Sequence, residues 1–269
     1  MWLLDGAPLV FVVGLVTGLA TGLGVLPFFL VEEIPDRWLV ALWGLAAGIM
    51  LSASVFGLLA EGLAEGSVLL VSLGLCLGAA LVYAADRLIG GYEFTPAMGS
   101  AVDYRTAALT VGVLTVHSVP EGIAVGVAFT EMAETAENVA IAGIEMPELA
   151  AFMAVAISVL NVPEGLALAI PLVSLGVRRT KIVGWAIVSG LPQPIGAVLA
   201  YYFVNALEGL LPVAFGFAAG ALLYLLATEF VPAGLEHGAA LAGRGRSELG
   251  GGFGLGFVAT TAMVVALGV

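Results

Sequence analysis

Eight sparsely charged apolar stretches, each about twenty residues long, restrict this chain's fold more than any other feature. They run roughly over 8–30, 38–60, 67–85, 106–130, 149–175, 182–204, 210–232 and 250–268. A helix needs about 20 apolar residues to cross the hydrocarbon core, and backbone placed in lipid must satisfy its own hydrogen bonds. The expected fold is therefore all-α. It is a polytopic integral membrane protein of eight transmembrane helices, forming one transmembrane domain over 1–269. Only 10% of the 269 residues are charged and 61% are hydrophobic, too little charge to solvate the surface of a water-soluble domain. The chain reads as a multi-pass protein of the cell membrane, with the lipid bilayer as its main solvent. The first stretch follows a start with no basic residue and is longer than the apolar core of a signal peptide, so it reads as retained.

Turn and charge signals separate the stretches: "VEEIPDR" at 31–37, "EGLAEG" at 61–66, "GVRRTK" at 176–181 and "NALEG" at 205–209. Longer breaks lie at 86–105, 131–148 and 232–250. With eight crossings, the loops after the first, third, fifth and seventh spans share one side. Those loops hold Arg37, Arg87, Arg105, Arg178, Arg179, Lys181, Arg244 and Arg246, which are all 8 basic residues of the protein. Basic residues mark the cytoplasmic side, so both termini are expected to be extracytoplasmic. The net charge of -12 excludes nucleic acid as a partner. Much of the acid lies in one outer loop, at Glu131, Glu134, Glu137, Glu145 and Glu148, as a cation-concentrating funnel or as a solvated surface suited to high salt. The single cysteine, Cys76, excludes an internal disulfide and a cysteine-rich zinc site. Small-residue surfaces such as "AAGIML" would permit a homodimer.

Ionisable residues at membrane depth are costly and point to function. The fourth span carries His117 and Glu121, the fifth Asn161 and Glu164, the sixth Gln193, and the seventh Glu229 near its cytoplasmic end. His117 and Glu121 are four apart, and Asn161 and Glu164 three apart, so each pair shares one helix face. Imidazole, carboxylate and amide oxygen together suit a divalent ion such as zinc, iron or manganese. Val-Pro-Glu-Gly occurs twice, at 119–122 and 162–165, on helices that would run in opposite directions. This gives the bundle an inverted-repeat character. Pro120 and Pro163 remove the helical donors to the carbonyls of Val116 and Val159, a way of exposing polar backbone in a broken helix. His237, beside Glu236 in the break after the seventh span, reads as a solvated loop residue.

"HSVPEG" at 117–122 and "NVPEG" at 161–165 resemble the paired motifs of the ZIP family, the Zrt- and Irt-like divalent metal transporters. "AAGIMLSASVFGLL" at 46–59, "SGLPQPIGA" at 189–197 and "FAAGALLYLLATEFVPA" at 217–233 are similar to that family's second, sixth and seventh spans. The resemblance implies a single or binuclear metal site between the fourth and fifth spans, and movement of metal into the cytoplasm by alternating access. It places His117, Glu121 and Glu164 as primary ligands and Asn161 at a second site. Ser118 stands where the family has asparagine, Leu160 heads the second motif with no ligating atom, and Gln193 replaces an acid, so a reduced metal site is implied. No catalytic cofactor is implied; zinc or another divalent ion is the transported substrate. Two other readings of the residues stay open: a proton-coupled or metal-independent carrier whose carboxylates titrate, and an intramembrane metallohydrolase.

Overall fold

A computed structural model of the chain describes residues 6–31, 33–89, 104–130, 138–141 and 143–267. Eight long helices organise these residues. They are α1 (Ala7–Phe29), α2 (Asp36–Glu65), α3 (Val68–Ile89), α4 (Tyr104–Ala128), α5 (Glu148–Ser174), α6 (Arg179–Ala206), α7 (Leu211–Ala240) and α8 (Ala242–Leu267). Seven of them are long and apolar enough to cross a bilayer; in α4 the described apolar part is Leu114–Ala128. The protein is a polytopic all-α membrane protein. About two thirds of the apolar windows of α2 and α5 are buried, against about one fifth of α3 and α8. Leucines and valines such as Leu69 and Val265 therefore face outward, as they must where lipid is the solvent.

The helices obey an internal symmetry that can be followed residue by residue. One constant offset along the chain carries α1–α3 onto α6–α8, and a second carries the motif of α4 onto that of α5. Gly44 and Gly48 of α2 pack on the carbonyls of Leu249 and Phe253 of α8, while Gly252 and Gly256 pack back on Ala41 and Leu45. The same reciprocal seam joins α7 to α3: Gly216 and Gly220 meet Val71 and Leu75, and Gly74 and Gly78 meet Val213 and Phe217. Small residues let membrane helices approach until backbone meets backbone. In both seams the contacts advance together along the two chains, so α2 runs parallel to α8, and α3 to α7. At the centre Gly18 of α1 and Gly190 of α6 each face the other's carbonyl, where the two repeats cross. Beyond its glycine seam each inner helix widens to π geometry, over Ala53–Leu59 in α2 and Leu226–Phe230 in α7.

Four expectations from the sequence are corrected. "EGLAEG" at 61–66 is not a loop, because helix continues over Ala60–Glu65. The seventh helix likewise extends over Val231–His237, which buries His237 to 3% exposure. There its Nδ1 is 2.8 Å from the Ala233 carbonyl oxygen and its ring lies 6.3 Å from that of Trp43, so it is not a solvated loop residue. The break at 131–148 contains an antiparallel hairpin, β1 (Asn138–Ile141) with β2 (Ile144–Pro147), turning at Gly143 with φ of +82°. Finally, "AAGIML" is an internal seam: Ala46 and Ala47 are buried and Gly48 is spent on α8. The acidic positions Glu131, Glu134 and Glu137 lie outside the described residues.

Candidate functional site

Two helices with the same four-residue motif meet in the core of the bundle. α4 and α5 continue through Pro120 and Pro163, so the prolines do not break them as the sequence suggested. What the motif builds instead is close packing. Gly122 lets α4 rest on the carbonyl of Gln193 in α6, and Gly165 lets α5 rest on the carbonyl of Thr21 in α1. Thr21 and Gln193 are themselves equivalent under the internal repeat. In return Gly24 packs on Val162 and Leu166, and Gly196 on Val119 and Ile123. The glycine after each glutamate thus fixes how far that glutamate's helix stands from its neighbour.

The residue just after His117 and the one just after Leu160 also act as equivalents. The Ser118 hydroxyl donates to the Ser189 carbonyl at 2.9 Å and to the Leu114 carbonyl at 3.1 Å. The Asn161 amide donates to the Thr17 carbonyl at 2.7 Å. Thr17 and Ser189 are repeat mates as well, each turning its hydroxyl back onto its own helix, to Gly14 and Ala186. Two matching clamps therefore tie α4 to α6 and α5 to α1. The symmetry ends at the side chains that add chemistry: Asn161 donates a second bond, 3.0 Å to Gln193 Oε1, for which Ser118 has no counterpart. Replacing Asn161 by alanine strips both acceptors of this donor and is expected to cost about 1–3 kcal/mol per group left unpaired. Ser118→Ala should cost about 1 kcal/mol, and chemical unfolding in detergent compares the two variants.

Between the clamps, the carboxyls of Glu121 and Glu164 lie close enough to interact directly. Both side chains are buried, as are His117, Ser118, Asn161 and Gln193. Glu121 Oε1 and Oε2, Glu164 Oε1 and Asn161 Oδ1 accept no hydrogen bond from protein. Buried acceptors are rarely left so, and several oxygens together fit a cation that supplies the missing positive charge.

His117, however, does not close a tight triad with the two acids: among the described residues no group of three His, Cys, Asp or Glu side chains is gathered as a ligand set. α4 and α5 are antiparallel, so from the glutamate level His117 lies about 6 Å along the axis in one direction and Asn161 about 4.5 Å in the other. The residues singled out in the sequence are all buried in this core, but spacing along one chain does not give their order. The polar residues form a row, imidazole, then the acid pair, then the amide pair. The site helices are set against the backbone carbonyls of Thr17, Thr21, Ser189 and Gln193, which helical spacing alone does not single out. Their signal was the repetition of Gly-x-Ala-Ala-Gly at 44–48 and 216–220, which fixes the offset between repeats.

Fold and site together define a polytopic membrane protein with an acid pair buried between two antiparallel helices. No family model matches the chain. Similarity to individual proteins does. It is 36% identical over 214 residues to a putative zinc transporter of Arabidopsis thaliana, covering 79% of this chain and 32% of that protein. It is 29% identical over 258 residues to the zinc transporter ZupT of Corynebacterium aurimucosum, covering 87% and 91%. It is 33% identical over 165 residues to the human zinc transporter ZIP11, covering 61% and 44%. The chain thus spans about a third of the plant relative's length and nearly all of the corynebacterial one. It is similar to several proteins named as zinc transporters.

Proposed function

We propose that this protein carries divalent metal, zinc foremost, across the membrane into the cytoplasm, by alternating access at the row His117, Glu121, Glu164 and Asn161. The observation that carries the proposal is the pair of interacting buried carboxyls, of which Glu121 Oε1 and Oε2 and Glu164 Oε1 have no protein donor. A desolvated acid pair is costly on its own and is stabilised when a cation occupies it. The names of its relatives support zinc as one cargo. Gln193 shapes the far end of the row through Asn161, and Ser118 holds α4 in place. Uptake into proteoliposomes tests the reading. Zinc should enter saturably, and iron, manganese, cadmium and cobalt should compete in an order that ranks the site. Vesicles no more permeable than protein-free ones would refute it.

The eight-crossing topology with both termini outside belongs to the same proposal. Support comes from Gly122 and Gly126 of α4, which meet the carbonyls of Gln193 and Ala197 of α6 in the same order, so α4 traverses the bundle alongside α6. In a Cys76→Ser background, Lys181→Cys should react with a membrane-impermeant maleimide only after cells are opened. Leu207→Cys should react in intact cells. The reverse pattern would invert the topology.

A further inference from the structure

At one end of the bundle, away from the acid pair, the last turn of α1 and the start of α6 enclose a cleft of about 570 Å³. Phe28, Phe29, Leu30 and Val31 line it on one side; Arg178, Arg179 and Thr180 line it on the other. Arg179 is half-buried, and its Nε donates to the Phe28 carbonyl at 3.3 Å, which leaves the two terminal nitrogens of the guanidinium for another acceptor. Arg178 and Thr180 are exposed. No side chain caps the start of α6, so its first amides add further donors. The opposite rim is bare hydrocarbon, with Leu30 90% exposed and Phe29 52%.

The internal repeat provides a control for this arrangement. The offset that pairs Thr21 with Gln193 carries Arg178, Arg179 and Thr180 onto Gly6, Ala7 and Pro8. At the mate of this corner, glycine, alanine and proline therefore stand where two arginines and a threonine stand here. An orientation signal would need positive charge on this side, but not a guanidinium fixed against a backbone carbonyl at the edge of a cleft.

We propose that this cleft is a binding site for the phosphate of an anionic membrane phospholipid. Arg178, Arg179 and Thr180 hold the phosphate, and Phe29, Leu30 and Val31 lie along the upper acyl chains. The pairing of a planar guanidinium with phosphate oxygens, beside exposed apolar residues at the end of a spanning helix, is the chemistry that such a headgroup presents.

Native mass spectrometry of the full-length protein, titrated with phosphatidylglycerol or phosphatidylcholine, tests it. One phosphatidylglycerol should be retained about 10- to 30-fold more tightly than phosphatidylcholine. Arg178→Gln with Arg179→Gln should bring the two lipids to parity, whereas Arg244→Gln with Arg246→Gln should keep the preference. Arg179→Lys, which keeps the charge and is the milder change for folding, should lose part of the preference because an ammonium cannot serve Phe28 and a phosphate in the same planar fork. Equal retention of the two lipids by the wild type would overturn the proposal, as would a preference that survives the double substitution or Arg179→Lys unchanged. Displacement of the lipid by excess inorganic phosphate would instead mark a soluble-phosphate site and also contradict it.

Discussion

Replacing either Glu121 or Glu164 by alanine should lower zinc uptake in proteoliposomes by about 100-fold or more, to the level of empty vesicles. Glu121 Oε1 and Oε2 and Glu164 Oε1 have no protein donor, and the two buried side chains interact with one another. Removing one leaves a cation half its anionic charge at a depth where water cannot compensate. Misfolding is separable from this effect. In metal-free protein the acid pair opposes stability, so the isosteric Glu121→Gln and Glu164→Gln should unfold at a higher temperature than the wild type without metal. They should also lose the further stabilisation that zinc confers. Uptake that survives either alanine substitution would remove the acid pair from the transport path.

Gly165→Ala is the second large expected effect. A side chain there would strike the carbonyl of Thr21, a backbone atom of α1 that cannot rotate away. Helix α5 would have to move off α1 one residue beyond Glu164, pulling that carboxyl out of register with Glu121. Overpacking of this kind costs about 1–3 kcal/mol, and a displacement near 1 Å at a preorganised site is enough for a loss of about 100-fold in activity. The repeat predicts the same outcome for Gly122→Ala, which meets Gln193 in the equivalent contact. Gly184→Ala is the control. Open space surrounds that position, so the substitution should stabilise helix α6 by about 0.5–1 kcal/mol and leave uptake unchanged. Unfolding curves and uptake for the three variants check both halves of the argument. Equal behaviour of Gly165→Ala and Gly184→Ala would show that the close approach is not needed.

Much of the architecture was legible because lipid enforces a simple rule: each span must be apolar over about twenty residues. The expected 149–175 and 182–204 differ by only one to three residues at each end from helices Glu148–Ser174 and Arg179–Ala206. The rule fails at span ends, where helix continues beyond the apolar core. Residues 61–65 and 232–237 are polar enough to look like loops and yet are helical, and packing on Trp43 buries His237. The hairpin at 138–147 was missed because four-residue strands leave no periodic signature longer than chance. At the site, helical spacing was sufficient to place His117 with Glu121 and Asn161 with Glu164. The relation between those pairs depends on the register of two antiparallel helices, which glycine contacts to α1 and α6 decide, and spacing along one chain says nothing about that.

Equilibrium binding of zinc to the purified protein, measured by titration calorimetry on the wild type and on Glu121→Gln with Glu164→Gln, tests the central claim most directly. A saturable wild-type isotherm that weakens by about 100-fold or more in the double variant is the predicted result. An isotherm that the double substitution leaves in place would mean that zinc binds elsewhere, and that the acid pair between α4 and α5 is not where this protein takes up its cargo.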